Sequence, residues 1–108
     1  MSFSAVLAVS ALADDGMQSV EFNGVDVLIV RVEGEILAVD DLCTHEEASL
    51  SSGVLRGDQV RCPLHGSWFC LRTGQPSEEP ADEPLRCYAV RIRDGWIELA
   101  SPPTTTEF

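Results

Sequence analysis

The sequence predicts an all-β domain, and two observations carry that prediction. Short apolar or β-branched runs recur along the 108 residues, with turn-forming residues between them. No long stretch shows the apolar period of an amphipathic helix. Because 108 residues leave room for one core, and 44% hydrophobic with 23% charged residues is a globular composition, we expect a single domain over residues 1–108.

The turn signals divide the chain into strands. The segment Phe3–Ala13 is predicted as an edge strand and a turn rather than an export signal, because no basic residue precedes Arg31. Asn23-Gly24 tolerates the positive φ of a tight turn and predicts a hairpin between Met17–Phe22 and Val25–Val32. The latter is apolar on both faces, which is typical of a covered central strand. The other predicted strands are Glu35–Asp40 after Glu33-Gly34, Val54–Arg56 and Gln59–Arg61 around Gly57-Asp58, and Tyr88–Arg93 and Trp96–Leu99 around Asp94-Gly95.

Two segments are predicted to lie outside the sheets. The segment 75–84 is too polar and proline-rich for a strand and is predicted as a loop, and the tail 102–108 is predicted as a frayed end. In Tyr88–Arg93, apolar and polar residues alternate, which places Ile92 on an apolar face opposite a solvent-exposed face. Trp96 is predicted as a core residue.

The charge excludes several functions. Eighteen acidic and seven basic residues give a net charge of −11, and all seven basic residues are arginines. Without lysine the chain has neither a Schiff-base nor a P-loop lysine, and its glycines form no Gly-x-Gly-x-x-Gly pattern. The acidic surplus argues against nucleic acid and anionic membranes as partners. It favours a partner with a basic surface.

Two short motifs carry the chemistry: Cys43-Thr44-His45 and Cys62-Pro63-Leu64-His65-Gly66, with sixteen residues between His45 and Cys62. Each supplies one thiolate and one imidazole, which suit iron or zinc better than magnesium or calcium. A structural zinc finger usually pairs cysteine with cysteine, whereas mixed pairs fit a [2Fe–2S] cluster with two thiolates on one iron and two imidazoles on the other. We therefore predict four ligands: Cys43, His45, Cys62 and His65.

This pattern resembles the Rieske family, and the chain is most similar to the soluble Rieske-type ferredoxins of bacterial aromatic-ring-hydroxylating dioxygenase systems. The resemblance implies a Rieske-type fold, an antiparallel β-sandwich core with a cluster-binding subdomain of two loops within about residues 41–74. It also implies one [2Fe–2S] cluster, with Cys43 and Cys62 on the inner iron and His45 and His65 on the outer iron. The matching segments are Gly34 with the strand before Asp40-Asp41, Cys43–Leu50, Cys62–Phe69 and Arg72-Thr73-Gly74.

The function that the resemblance implies is electron transfer. The chain would be a cytoplasmic, monomeric one-electron carrier from an NAD(P)H-dependent flavin reductase to the terminal oxygenase of such a system. It would not itself be an enzyme, because both histidines are already cluster ligands and none is left for an oxygen-activating iron. Two alternatives remain: the small Rieske-like subunit of an assimilatory nitrite reductase, and a zinc-stabilised interaction module.

Departures from other branches of the family carry further expectations. Ala48 and Leu64 stand where respiratory and photosynthetic Rieske proteins have disulfide-bonded cysteines, so that bridge is absent. Ser67 matches their cluster-binding serine, but Phe69 replaces their tyrosine. Losing a hydrogen-bond donor favours the oxidised form, so we expect a potential near the low end of roughly −150 to +300 mV. Cys70 and Cys87 are predicted as core thiols.

Acidic residues crowd the predicted cluster end of the molecule. They could steer a basic partner or form a solvated surface, and the sequence leaves both readings open. These residues are Asp40, Asp41, Glu46 and Glu47 in the first loop, and Glu78, Glu79, Asp82 and Glu83 in the proline-rich loop.

Overall fold

The computed structural model describes residues 2–44, 48–64, 66–77 and 83–105. Within these ranges, 3₁₀ turns occupy Val9–Ala11 and Leu50–Ser52, and no helix has the length and hydropathy to cross a bilayer. The strands are β1 (Ser2–Ala8), β2 (Met17–Phe22), β3 (Val25–Val32), β4 (Glu35–Asp40), β5 (Val54–Arg56), β6 (Gln59–Arg61), β7 (Trp68–Cys70), β8 (Arg86–Cys87), β9 (Val90–Arg93), β10 (Trp96–Ser101) and β11 (Thr104–Thr105).

The strands form three antiparallel sheets, which confirms the predicted all-β class. Their orders are β1-β10-β9, β11-β8-β4-β3-β2 and β5-β6-β7. Strand β3 lies between β2 and β4, and its residues Val27 to Val30 are all fully buried. The prediction of a central strand covered on both faces is therefore confirmed.

The five-stranded sheet separates two apolar cores. Leu28 and Val30 belong to the core that also contains the loop residues Cys43 and Cys62. Val27 and Ile29 project the other way, into the core completed by strand β10. Because successive strand side chains point to opposite faces, β3 contributes alternately to both cores.

The predicted hairpin turns form with the backbone they require. Asn23 and Gly24 have φ of 52° and 78°, and Asp94 and Gly95 have φ of 52° and 81°. Only glycine and a few short polar residues adopt these left-handed values readily. The turn dipeptides therefore fix where β2 turns into β3 and where β9 turns into β10.

Two apolar residues predicted to be buried are exposed. Trp96 is 49% exposed because its neighbour Ile97 takes the inward position in β10. Ile92 is 53% exposed because β9 lies at the open edge of its sheet, where the core does not cover it. Its strand also begins at Val90 rather than Tyr88. Alternation gives the two faces of a strand but not how far the core extends over them.

The predicted frayed end is wrong for part of the tail. Thr104 and Thr105 form strand β11, paired with Cys87 and Arg86 of β8. Pairing at a sheet edge uses backbone groups, so it needs no apolar pattern in the sequence. Residues 106–108 lie outside the described residues.

Candidate metal centre

The first motif lies in a loop whose base is closed by backbone hydrogen bonds. Strand β4 ends at Asp40, and beyond it the Cys43 N–H donates to the Ala48 carbonyl at 3.0 Å. The Leu50 N–H donates to the Asp41 carbonyl at 2.7 Å. Cys43 is buried in this loop, while the preceding Leu42 is 54% exposed.

The second motif follows strand β6 and is closed in the same way. The Cys62 N–H donates to the Ser67 carbonyl at 2.9 Å, and the Gly66 N–H donates to the Cys62 carbonyl at 3.2 Å. Gly66 has φ of 79°, and a Cβ there would lie 2.8 Å from the Arg61 guanidinium. The left-handed φ favours glycine at this position, whereas the flexible Arg61 side chain can move away from a Cβ, and Cys62 at the base of the loop is fully buried.

The two loops bring the two predicted cysteine ligands into one core. Cys43 and Cys62 pack in the same apolar cluster, with Leu50 and Phe69 among its members. All four cysteines of the chain are described, and none is in a disulfide. The other two predicted ligands, His45 and His65, lie outside the described residues. Two buried thiols held at the bases of separate loops are a donor set suited to one iron of a [2Fe–2S] cluster.

The residues that follow the second motif are largely buried. Ser67 and Phe69 are both fully buried, and Trp68 is half-buried with the Arg56 guanidinium 4.9 Å from its ring centre. The Phe69 ring excludes water but offers no hydroxyl. Leu64, on the same loop, is 66% exposed.

The two ends of the proline-rich segment contact the regions of the two motifs. Its beginning pairs with β7, where the Ser77 N–H donates to the Trp68 carbonyl at 2.8 Å. Its end meets the first loop, where the Thr44 hydroxyl donates to the Glu83 carbonyl at 3.0 Å. The segment 78–82 lies outside the described residues. These contacts place the ends of the proline-rich segment against the two motifs.

Two acidic residues of the first loop are not free surface charges. The Asp40 carboxylate accepts hydrogen bonds from Arg86 at 2.7 Å and from the Tyr88 hydroxyl at 2.6 Å. Asp41 is only 2% exposed, and its carboxylate accepts bonds from the backbone and hydroxyl of Ser51. The reading of Asp41 as part of a solvated or steering surface is therefore wrong, and that of Asp40 holds only in part.

Sequence reasoning missed these two networks, because nothing local signals them. Arg86 and Tyr88 lie 46 and 48 residues from Asp40 along the chain, and only the pairing of β8 with β4 brings them together. Burial and the bond to Asp40 raise the pKa of Tyr88.

The two further cysteines lie away from the loop bases. Cys70 and Cys87 are half-buried, and Cys87 packs against the core that holds Cys43 and Cys62. Burial raises the pKa of the Cys87 thiol, and the nearby Cys70 and Asp40 raise it further. A raised pKa favours the protonated form of the Cys87 thiol.

Comparison with curated proteins finds relatives that match this chain over most of both lengths. The chain is 44% identical over 100 residues to the 3-phenylpropionate/cinnamic acid dioxygenase ferredoxin subunit of Photorhabdus laumondii, covering 92% of this chain and 94% of that protein. It is 41% identical over 103 residues to the biphenyl dioxygenase ferredoxin subunit of a Pseudomonas species, covering 93% and 94%.

Solved structures give the same picture. A chain in the complex of reduced oxygenase and oxidised ferredoxin in carbazole 1,9a-dioxygenase matches with a TM-score of 0.89 and 32% identity, covering 96% of this chain and 97% of that one. The Sphingomonas yanoikuyae B1 ferredoxin matches with a TM-score of 0.88 and 30% identity, covering 94% and 100%. A putative nitrite reductase small subunit, at 21% identity and a TM-score of 0.80, shares the fold.

The family model for the Rieske [2Fe-2S] domain matches residues 2–89, a range that contains both motifs. That range also covers strands β1 to β8 and therefore most of the five-stranded sheet beneath the loops. With two buried cysteines at the loop bases and close relatives over nearly the whole chain, the protein belongs to the Rieske [2Fe–2S] domain family.

Proposed function

We propose that this chain is a cytoplasmic one-electron carrier that takes electrons from an NAD(P)H-dependent flavin reductase and passes them to the terminal oxygenase of an aromatic-ring-hydroxylating dioxygenase system. The observation that carries the proposal is the pair of buried cysteines on two separately closed loops. It occurs in a chain similar over 92% of its length to the ferredoxin subunit of one such dioxygenase.

In this proposal Cys43 and Cys62 hold one iron, and His45 and His65 hold the other. A bound [2Fe–2S] cluster supplies reversible one-electron chemistry. The chain's own part is to hold the two thiolates at fixed loop bases and to exclude water with buried apolar side chains such as Leu50 and Phe69. Ligands that are already fixed and dehydrated rearrange little when an electron arrives, which favours fast transfer.

The partner would dock at the loop end of the molecule. Leu42 and Leu64 are 54% and 66% exposed, and each lies within two residues of a cluster cysteine. Exposed apolar side chains that form one patch rimmed by polar groups are typical of protein interaction sites. Docking there would bring the partner's acceptor close to the buried ligands.

The ligand assignment is tested by iron, sulfide and electron paramagnetic resonance measurements on anaerobically purified, dithionite-reduced protein. We expect two irons and two sulfides per chain, and a rhombic signal whose average g lies below that of all-cysteine clusters. Cys43→Ser and Cys62→Ser should lose the signal and most of the iron, because serine is a poor ligand for this cluster.

Cys70→Ser is the matched control, since it removes a thiol that the proposal leaves out of the ligand set, and it should retain cluster and signal. A wild-type protein that contains zinc without sulfide would instead support the zinc-stabilised interaction module. Loss of the cluster in Cys70→Ser with retention in Cys43→Ser would mean that the ligands are assigned wrongly. The likeness to a nitrite reductase subunit extends to the fold alone, and no feature among the described residues of the site favours that function.

A further inference from the structure

A buried carboxylate, Asp41, lies two residues before Cys43 and has no cation partner among the described residues. Asp41 is only 2% exposed. Its Oδ1 accepts the Ser51 N–H at 2.8 Å, and its Oδ2 accepts the Ser51 hydroxyl at 3.0 Å. Both oxygens act as acceptors, as in an ionised carboxylate. Among the described residues, the ion pairs of the protein do not include Asp41.

The side chains of Asp41 and Cys43 point to the same side of the chain. Asp41 and Cys43 are buried, while Leu42 between them is 54% exposed. This alternation is that of an extended segment, in which residues two apart share a face. Since their Cα atoms are at most about 7.6 Å apart, the carboxylate lies within roughly 10 Å of the Cys43 thiol.

The loop does not need a charge at this position. An asparagine would present a carbonyl oxygen to the Ser51 N–H, and it would avoid the cost of burying a carboxylate without a counterion. A charge that no cation of the described residues neutralises therefore calls for a role other than closing the loop. A fixed negative charge in a poorly polarisable interior acts on any group nearby that changes its own charge.

We propose that the Asp41 carboxylate lowers the reduction potential of the cluster bound through Cys43, so that the reduced protein is a stronger electron donor. The proposal rests on the ligand assignment given above. At about 10 Å and an effective dielectric constant of about 20, one charge changes an electron-binding equilibrium by roughly tenfold. For a one-electron couple, tenfold corresponds to about 59 mV.

The test is a mediated redox titration, followed by visible absorbance, of the cluster-loaded wild type, Asp41→Asn, Ser51→Ala and Asp94→Asn. Asp41→Asn removes the charge and should raise the midpoint, making reduction roughly tenfold more favourable. Ser51→Ala keeps the charge and the N–H bond but loses the hydroxyl bond, so its midpoint should stay or fall. Asp94→Asn removes an exposed carboxylate in the β9–β10 turn and should leave the midpoint unchanged.

An unchanged or lower midpoint in Asp41→Asn would overturn the proposal. So would an equal rise in Ser51→Ala, because the cause would then be disturbance of the loop. If Asp41→Asn does not retain its cluster, two double variants replace it in the test: Asp41→Asn/Ser51→Asp and Asp41→Asn/Ser51→Asn. They differ by one negative charge, so the variant with Ser51→Asp should have the lower midpoint. Equal midpoints would overturn the proposal. A wild type without iron and sulfide would refute the ligand assignment itself, which the metal count reveals before any titration.

Discussion

Tyr88 is the chain's one tyrosine, and its hydroxyl is committed to a carboxylate. It donates to Asp40 at 2.6 Å, and its ring meets Phe22 edge to face at 5.9 Å between centroids. Arg86 completes the group by donating to the same carboxylate, and the bond to Asp40 raises the pKa of Arg86. These residues attach the short strand β8 to the end of β4, directly before the first loop.

Replacing Tyr88 by phenylalanine should destabilise the protein and change its response to alkali. Loss of a hydrogen bond to a charged group costs about 1.5–3 kcal/mol at neutral pH. The pKa of Tyr88 is raised on folding, so its stabilisation is complete below the unfolded value of about 10 and is lost as the pH rises through the folded value. Urea unfolding from about pH 8 to about pH 11 should therefore show a steeper alkaline decline in the wild type than in Tyr88→Phe. Parallel pH profiles would contradict this.

The predicted ligands and the carboxylate networks differ in the range of the interactions that signal them. Cys43 and Cys62 are predicted as ligands because thiols at a fixed spacing from histidines have few uses other than metal binding, and the structure shows both buried at the bases of their loops. The hydrogen-bond partners of Asp40 and Asp41 are distant along the chain: strand pairing brings Arg86 and Tyr88 to Asp40, and the folding back of the first loop brings Ser51 to Asp41. The sequence alone therefore does not distinguish these two adjacent acidic residues. In the structure the Asp40 side chain is 16% exposed and forms an ion pair, whereas Asp41 is buried.

At Gly74, strand β7, the proline-rich segment and the residues before β8 come together. Its N–H donates to the Cys70 carbonyl at 2.7 Å, and its carbonyl accepts the Leu85 N–H at 2.8 Å. A Cβ at Gly74 would lie 2.2 Å from the Leu85 carbonyl oxygen and 3.2 Å from the Cys87 Sγ. These elements can approach so closely only because glycine has no Cβ.

Gly74→Ala should be much more destabilising than Gly24→Ala, its matched control. Both glycines have φ of 78°, but a Cβ at Gly24 meets nothing within 4 Å. Gly24→Ala should cost about 1–2 kcal/mol for the left-handed backbone alone. Gly74→Ala should cost about 1–3 kcal/mol more, because backbone must move to relieve the contact. Denaturant unfolding measures both, and equal losses would show that the close approach is unimportant.

The sequence predicts the positions of turns better than it predicts which segments pair at a sheet edge or which faces of a strand are exposed. Asn23-Gly24 and Asp94-Gly95 specify backbone angles that few other residues adopt, so the hairpins they join were predictable. Strand β11 and the exposed face of Trp96 depend on which strand happens to lie beside each segment. That information is contained in the assembled sheets and not in the segment.

The whole molecule presents a negative surface. The net charge is −11, and several arginines are engaged with acidic neighbours: Arg72 with Glu35 and Asp58, Arg86 with Asp40, and Arg91 with Glu98. The contacts of Arg72 with Glu35 and Asp58 also raise its pKa. With cations neutralised in this way, the surplus of acidic groups dominates the long-range field.

If that field steers the proposed partner, the rate of electron transfer to the oxygenase should fall as salt concentration rises. Stopped-flow kinetics across a range of ionic strengths measures the slope, since screening shortens the reach of exposed charges. Glu83→Gln, beside the first loop, should reduce the slope, and the exposed Glu21→Gln on β2 is the control for a remote charge. A rate independent of salt would leave the acidic residues as a solvated surface only.

Strand β3 contributes side chains to both apolar cores, which couples their unfolding. Leu28 and Val30 anchor the half that holds Cys43 and Cys62, while Val27 and Ile29 anchor the opposite half. Neither half retains a covered face if β3 leaves, so the two cannot melt as separate cooperative units. Heat or denaturant should therefore release the bound cluster and unfold both cores in one transition, without a folded intermediate that lacks the cluster.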